Sequence, residues 1–533
     1  MTESRYTVLV TDVLAPEGLA ILEAHPRIEP VVKTGLAPED LVRAVGPAHG
    51  LLVRSGTKVT AALLEAAPRL SVVGRAGTGV DNIDVDAATR RGVVVMNTPG
   101  GNAVAACEHT FALILALFRN IGPAGRELAG GVWNRKKHMG HQLLGKTLGL
   151  VGFGRIGREV ARRARAFGMD VAVFDPFVTE SLAREFDCRL ASLDALLAEA
   201  DVVSLHLPLN EQTRHLIDAA ALARMRPEAV LVNCARGGLV DEEALLEALD
   251  AGRLCGAALD VFESEPPENL ELLAHARVVA TPHLGASTEE AQRDVAAQVA
   301  RQVVDYLVHG EVRNAVNVPS LSADVYAKVR PHVELSRRLG SLAAQLAETG
   351  FERITVRFRG DYADLPRSPV VSAALVGVLG AVPGGGAANY VNARLMAAEL
   401  GIVVEETAAA ESGDHPGLLE IVLAGSDAAC TVAGRVTHGG APRLARWDGL
   451  GLDAPPAGTM LAARNPDVPG VVGAIGGLLG EAGVNIAHIS WGRNRDTGEA
   501  LTLINVDGDV PEAVLESIRA HDKVRWARLV RLS

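Results

Sequence analysis

The sequence predicts an α/β protein of several domains: doubly wound parallel sheets first, a mixed α/β segment in the middle and a βαββαβ module at the end. Three observations predict it. At ~100–200 residues per domain, 533 residues imply three or four domains. Short apolar runs alternate with helix-like stretches from the first residues onward. Apolar residues make up 48% and charged residues 22%, as in soluble globular proteins, while 55 glycines and few aromatics point to Leu/Val/Ala cores with many tight turns.

The elements follow in order. YTVLVTD (6–12), GLLVR (50–54), SVVGRAG (71–77) and GVVVMNTP (92–99) read as strands with helices between them, the rhythm of a parallel sheet covered on both faces. A long helix near 103–120 opens a second unit. Six strand-like runs follow: TLGLVGFG (147–154), DVAVFDP (170–176), DVVSLHLP (201–208), AVLVNCARGG (229–238), GAALDVFE (256–263) and RVVATPHLG (277–285). A helix over 286–310 leads back to the first unit, which makes that unit discontinuous. NAVNVPSLS (314–322) marks a boundary, and PGGGAANYVNA (383–393) is a loose turn within the next segment. APPAG (454–458) reads as a linker to the final strand–helix–strand–strand–helix–strand module. The expected units are 1–99 with 286–316, 100–285, 317–455 and 459–533.

A net charge of −12 argues against non-specific nucleic-acid binding. The 5 cysteines form no CxxC pair and have no accompanying histidine cluster, which argues against a metal site and for free thiols in a reducing compartment. The N-terminus lacks the pattern of a signal peptide, and no apolar run reaches membrane-spanning length. A cytoplasmic location, with no nucleic-acid or membrane partner, is the expectation.

Gly152, Gly154 and Gly157 form GFGRIG between an apolar strand and a helix. Such glycines allow a tight turn, close approach to a pyrophosphate and helix–strand packing, while the helix N-terminus supplies free N–H groups. Asp175 ends the next strand, where a carboxylate accepts from ribose hydroxyls and repels a 2′-phosphate, favouring NAD over NADP. A purely structural glycine turn is the plain alternative. Arg236, Glu265 and His283 follow later strands at the ends where ligands lie in such sheets. Singly they read as a surface guanidinium, a loop carboxylate and an ordinary histidine. Together they supply a fork for a carboxylate, a base for a hydroxyl proton and an anion that orients the base and raises its pKa.

GRAGTGVDNID, GFGRIGREVA, VNCARGGLVDEEAL, ALDVFESEPP and TPHLGAST resemble the D-isomer-specific 2-hydroxyacid dehydrogenases, from the N-terminus to about residue 315. The resemblance implies a Rossmann-like nucleotide-binding domain inserted in a flavodoxin-like substrate domain, with Arg236, Glu265 and His283 catalytic. It implies NAD contacts at Thr78, Arg155, Ile156, Asp175, Leu207, Cys234, Ala235, Arg236, Asp260, His283, Gly285 and Ala286. Oxidation of 3-phospho-D-glycerate to 3-phosphohydroxypyruvate, leading to L-serine, is the expected reaction. Arg54, Arg75 and Asn102 would face the cleft, and the WNRKKHMG loop would bring Arg135, with Lys136 and Lys137, to a partner subunit's site; a solvated basic loop is the alternative for those lysines. D-lactate, glyoxylate or hydroxypyruvate are the competing substrates, and an NAD-sensing scaffold is the non-enzyme alternative, disfavoured by the intact catalytic set.

The middle segment resembles the extra domain of the longer family members. There RVTHGGAPRLARWDG offers His438, Arg443 and Arg446 to an anion, with a solvated face as the other reading. The tail resembles an ACT domain, the amino-acid-sensing fold, which implies an effector such as L-serine held by Asp467 and Asn485 at a dimer interface. Asn465 stands where some serine-sensing members carry an aromatic, and a structural dimerisation module is the alternative. A homodimer or homotetramer is expected.

Overall fold

A computed structural model describes residues 5–318, 323–382, 388–411, 415–426 and 428–532. The expected boundary at 314–322 and the turn at 383–393 therefore lie partly outside the described residues.

The first sheet has five parallel strands in the order Ile28–Val32, Tyr6–Val10, Gly50–Val53, Val72–Arg75, Val94–Met96. The helix Glu289–His309 packs on it: Val295, Val299 and Val303 join Val8, Val10, Leu52 and Val72 in one core. Asn317 ties the chain beyond that helix to the same sheet, its side-chain oxygen accepting from the Val95 N–H at 2.9 Å.

The second sheet has seven parallel strands, in the order Val278–Ala280, Gly256–Leu259, Val230–Asn233, Val202–Leu205, Thr147–Val151, Asp170–Phe174, Arg189–Leu190. Six were expected; the seventh is the two-residue edge strand Arg189–Leu190, too short to leave an apolar run in the sequence. Val202–Leu205 and Val230–Asn233 are buried along their whole length, as parallel strands covered on both faces must be. The strand order reverses beside Thr147–Val151, which opens a crevice at the carboxyl ends. The helix Arg155–Ala166 buries Gly157, Val160, Ala161 and Ala164 on one stripe and turns its arginines outward.

The third sheet is mixed: Val403–Ala409, Arg353–Gly360, Gly417–Ala424, Ala429–Val436, Pro442–Trp447, Leu450–Ala454, with only the first pair parallel. The fourth is antiparallel, in the order Asn485–Asn494, Glu499–Asp507, Gly458–Pro466, Trp526–Leu532.

APPAG joins the third sheet to the fourth, and the two pack closely on either side of it. Both faces of the last sheet are apolar. Leu461 and Ala463 face its own helices. Met460, Ala462, Leu501, Leu503, Val530 and Leu532 share a core with Leu339, Ala343 and Leu346 of the helix Ala323–Leu346. The Asn505 amide donates to the carbonyls of Pro455 and Ala457, each at 3.0 Å, and so pins the connection.

Candidate active site

The glycine turn is built for close approach. At Gly152 (φ 101°) a Cβ would stand 2.5 Å from the His206 carbonyl oxygen, and at Gly157 it would stand 2.4 Å from that of Gly152. Gly154 opens onto free space and caps Arg155–Ala166 without a side chain, so the helix's first N–H groups have no side-chain partner. Asp175 lies beside the turn, its two oxygens accepting from the N–H groups of Phe153 (2.8 Å) and Phe177 (2.9 Å) with lone pairs to spare. These residues fit a dinucleotide: a cradle only glycine allows, an uncapped helix end for phosphates and an acceptor for ribose hydroxyls.

Ile156 sits half-buried in the first helical turn, and Leu207 follows the strand Val202–Leu205. The Arg155 guanidinium reaches across to the Pro99 carbonyl. Thr78 donates to the side-chain oxygen of Asn102 at 2.7 Å, which joins a predicted cofactor contact to a predicted substrate contact. Cys234 and Ala235 follow Val230–Asn233, and burial pushes the Cys234 thiol up to about 12, so it stays protonated.

Asp260 is a hub. It is 1% exposed and accepts from the backbone N–H groups of Leu284 (2.7 Å) and Gly285 (2.8 Å) and from the hydroxyl of Thr281 (2.6 Å); His109 Nε2 lies 3.1 Å away. Burial raises its pKa, but these hydrogen bonds outweigh it and hold the carboxylate ionised. The hub fixes the loop carrying His283, Gly285 and Ala286. His283 adopts φ 55°, a left-handed conformation a non-glycine residue holds only when its surroundings impose it. His283 Nδ1 meets Glu265 Oε2 at 2.8 Å, which leaves Nε2 for a ligand. That bond raises the His283 pKa against the opposing effect of burial. Burial also raises Glu265, but His283 and the Phe262 N–H bring it below the usual carboxylate value. A cleft of about 390 Å³ opens beside the pair, lined by Phe262, Pro266, Leu273 and Pro282.

The cations gather around Arg75. Arg236 donates from Nε to Asp81 at 2.8 Å and from a terminal nitrogen to the Ala235 carbonyl at 2.6 Å. Arg75 ends the strand Val72–Arg75, and its Nε is buried without a hydrogen-bond partner. Burial, with Arg236 and Arg54 nearby, lowers its pKa to about 10, while Asp81 and Asp12 hold it up. Arg54 is anchored through its own N–H to Asp12 and through its guanidinium to the Val13 carbonyl. Arg135 does not join the cluster. It is exposed on the loop after Ile121–Ala129, where Lys137 and His138 both pair with Glu127. Asp12, Asp81, His109 and Thr281 escaped sequence reasoning, although Asp81 lies in GRAGTGVDNID and Thr281 opens TPHLGAST, two motifs already singled out.

The predicted effector pair is not brought together within one chain. Asp467 follows Pro466, level with Asn494 across the sheet, whereas Asn485 starts that strand at the opposite end. Nine residues of strand at ~3.3 Å each separate them by about 30 Å. Asp467 pairs with Arg493 at 2.7 Å, and Asn485 donates to Asp507 at 2.7 Å. Asn465 is internal, accepting from Thr502 at 2.7 Å. In the third sheet Arg443 is taken by Asp453 at 2.8 Å, which removes it from the suggested anion set with His438 and Arg446.

Residues 111–285 match the NAD-binding domain of D-isomer-specific 2-hydroxyacid dehydrogenases, 328–447 the D-3-phosphoglycerate dehydrogenase intervening domain, and 459–522 the ACT domain. The D-3-phosphoglycerate dehydrogenase of Synechocystis is 41% identical over 98% of this chain and 94% of that one. The chain belongs to the D-3-phosphoglycerate dehydrogenase family. The Bacillus subtilis member is 39% identical over 99% of this chain and 100% of its own length. Among solved structures, D-lactate dehydrogenase from Aquifex aeolicus, complexed with NAD and lactic acid, is 30% identical with a TM-score of 0.53, covering 59% of this chain and all of that one. Membership of this family makes the chain an NAD-dependent oxidoreductase.

Proposed function

We propose that the protein oxidises 3-phospho-D-glycerate to 3-phosphohydroxypyruvate with NAD, the first step towards L-serine. The observation that carries this reading is the buried Nε of Arg75, without a hydrogen-bond partner, in a cluster of guanidiniums of which Arg236 is close enough to act electrostatically on His283 of the His–Glu pair. A buried N–H without an acceptor is costly, and a substrate phosphate would satisfy it. The substrate carboxylate lies on Arg236, with Thr78 and Asn102 closing the cleft on the first-sheet side. Gly152 to Gly157, Asp175 and the strand-end residues Leu207, Cys234, Ala235, Gly285 and Ala286 would hold NAD, which when bound would supply the acceptor for the hydride of C2. His283 Nε2 takes the hydroxyl proton, and Glu265 stabilises the imidazolium that results. The proposed units are 1–99 with 286–316 for substrate, 100–285 for NAD, 317–455 intervening and 459–533 for the effector.

The reading extends to assembly. Ile121, Leu128, Val132, Trp133 and Met139 are exposed together on the helix Ile121–Ala129 and the loop after it. An apolar patch of that kind fits a subunit interface and would carry Arg135 to the partner's cleft. A homodimer or homotetramer also brings Asp467 of one tail to Asn485 of the other, which one chain cannot do, and L-serine is the effector proposed there. The five thiols are unpaired, in keeping with a reducing cytoplasm.

The test is NADH consumption with 3-phosphohydroxypyruvate, with and without L-serine. Turnover suppressed by serine supports both readings; turnover indifferent to serine leaves the tail an assembly module. No turnover on the phosphorylated acid, with turnover on hydroxypyruvate or glyoxylate, overturns the substrate assignment.

A further inference from the structure

We propose that Asp81 is a positioning residue of this site: it holds Arg236 so that the two terminal nitrogens of the guanidinium face the substrate carboxylate. The proposal rests on Arg236 being the carboxylate clamp.

Asp81 and Arg236 come from different sheets. Asp81 follows Val72–Arg75 in the first, and Arg236 follows Val230–Asn233 in the second, so their 2.8 Å bond crosses the cleft between the two units. A guanidinium has five N–H groups. Asp81 takes the one on Nε and the Ala235 carbonyl takes one on a terminal nitrogen, leaving one N–H there and two on the other terminal nitrogen. That remaining edge matches a carboxylate in two-point geometry. Asp81 and the Ala235 carbonyl are the hydrogen-bond partners that the described residues give the guanidinium.

Asp81 is itself held in place. The amide of Asn82 donates to the carbonyls of Arg54 (2.8 Å) and Thr57 (2.6 Å). Ile83 bridges to Val59, and Asp84 caps the helix Val85–Arg90 by accepting from the Ala87 N–H at 2.8 Å. The guanidinium lies against bare backbone at Gly79, where a Cβ would come within 1.8 Å of its terminal nitrogen. Asp81 also offsets the repulsion between Arg236 and Arg75, which lets two cations share one end of the cleft.

The experiment measures binding of 3-phosphoglycerate to the enzyme–NADH complex by NADH fluorescence, which needs no turnover, for wild type, Asp81→Ala, Asp81→Asn, Arg236→Lys and the double variant Asp81→Ala/Arg236→Lys. Asp81 is largely exposed, at 61%, so its removal should leave the thermal midpoint and the NADH affinity at wild-type values. The expected loss of 3-phosphoglycerate affinity for Asp81→Ala is about tenfold, between the small worth of an exposed ion pair and the loss caused by a misplaced clamp. Asp81→Asn keeps an acceptor for Nε and should recover part of it. In the Arg236→Lys background Asp81→Ala should add little, because a lysine ammonium, a point charge whether or not it pairs with Asp81, has no two-nitrogen edge for Asp81 to aim at the carboxylate. Wild-type affinity in Asp81→Ala, or losses that multiply in the double variant, overturns the proposal. Wild-type affinity in Arg236→Lys overturns the clamp itself, and with it the reading on which the proposal rests.

Discussion

The dehydrogenase half and the sensor-like tail treat their polar residues in opposite ways. In the first, side chains from distant parts of the chain converge within one protomer: Asp81 meets Arg236, His283 meets Glu265, and His109 and Thr281 meet Asp260. In the tail, Asp467 and Asn485 stand at opposite ends of one sheet, each already engaged by a neighbour on its own strand pair or turn. The contrast teaches that the dehydrogenase half gathers its polar side chains within one chain, whereas the proposed effector pair would meet only between two copies.

The largest effect expected of any single change is at the base. His283→Ala should lower kcat by about a thousandfold, the scale of general acid–base catalysis, with NADH binding by fluorescence retained. Arg75→Gln should raise KM for 3-phosphohydroxypyruvate by about ten- to a hundredfold, the worth of a charge-assisted hydrogen bond, while barely moving KM for unphosphorylated hydroxypyruvate. Equal losses on both substrates would show that Arg75 does not read the phosphate.

Next is a shift rather than a loss. Glu265 raises the His283 pKa, so the protonated imidazole that reduction needs persists to higher pH than in a free histidine. Reduction should fade as pH rises through that raised value, and oxidation should fade as pH falls through it. Glu265→Gln should move both limbs to lower pH, read from kcat/KM profiles in the two directions; unmoved profiles would remove its role.

The contrast between the halves is sharpened by mixing chains. Asp467→Ala and Asn485→Ala should each abolish serine inhibition alone, yet co-assembled heterodimers should regain one intact site per pair and part of the inhibition. Failure to complement would place the effector within one tail after all. The smallest effect is structural. Asn505→Ala removes two hydrogen bonds to the 454–458 connection and should cost about 1–2 kcal/mol, seen as a lower thermal midpoint.

Much of this was legible in the sequence because it is local. A strand, a glycine turn and a helix lie within twenty-odd residues, and the strand-end positions of Arg236, Glu265 and His283 follow from counting strands. What stayed hidden is long-range. Asp81 lies 155 positions from Arg236, and His109 lies 151 positions from Asp260. Neither pairing leaves a periodic trace: the first depends on residues of two sheets meeting across a cleft, the second on the helix Ala103–Phe118 packing against the second sheet. APPAG does connect two strands as read, and what the sequence did not show is the apolar second face of the last sheet, which shares a core with the helix Ala323–Leu346 and holds the connection close. The opposite placement of Asp467 and Asn485 was recoverable in principle, because a βαβ unit starts its second strand at the end away from where its first one stops.

The core shared by the tail and the helix Ala323–Leu346 has a consequence for how such chains can be rearranged. A cut after Ala454 would strip the cover from Leu339, Ala343 and Leu346 and leave an oily wound on the piece that remains. The two segments therefore travel as one cassette: a recombination that exchanged only the final 75 or so residues would have to rebuild the matching wall as well, whereas one that moved everything beyond residue 323 would carry its own packing with it.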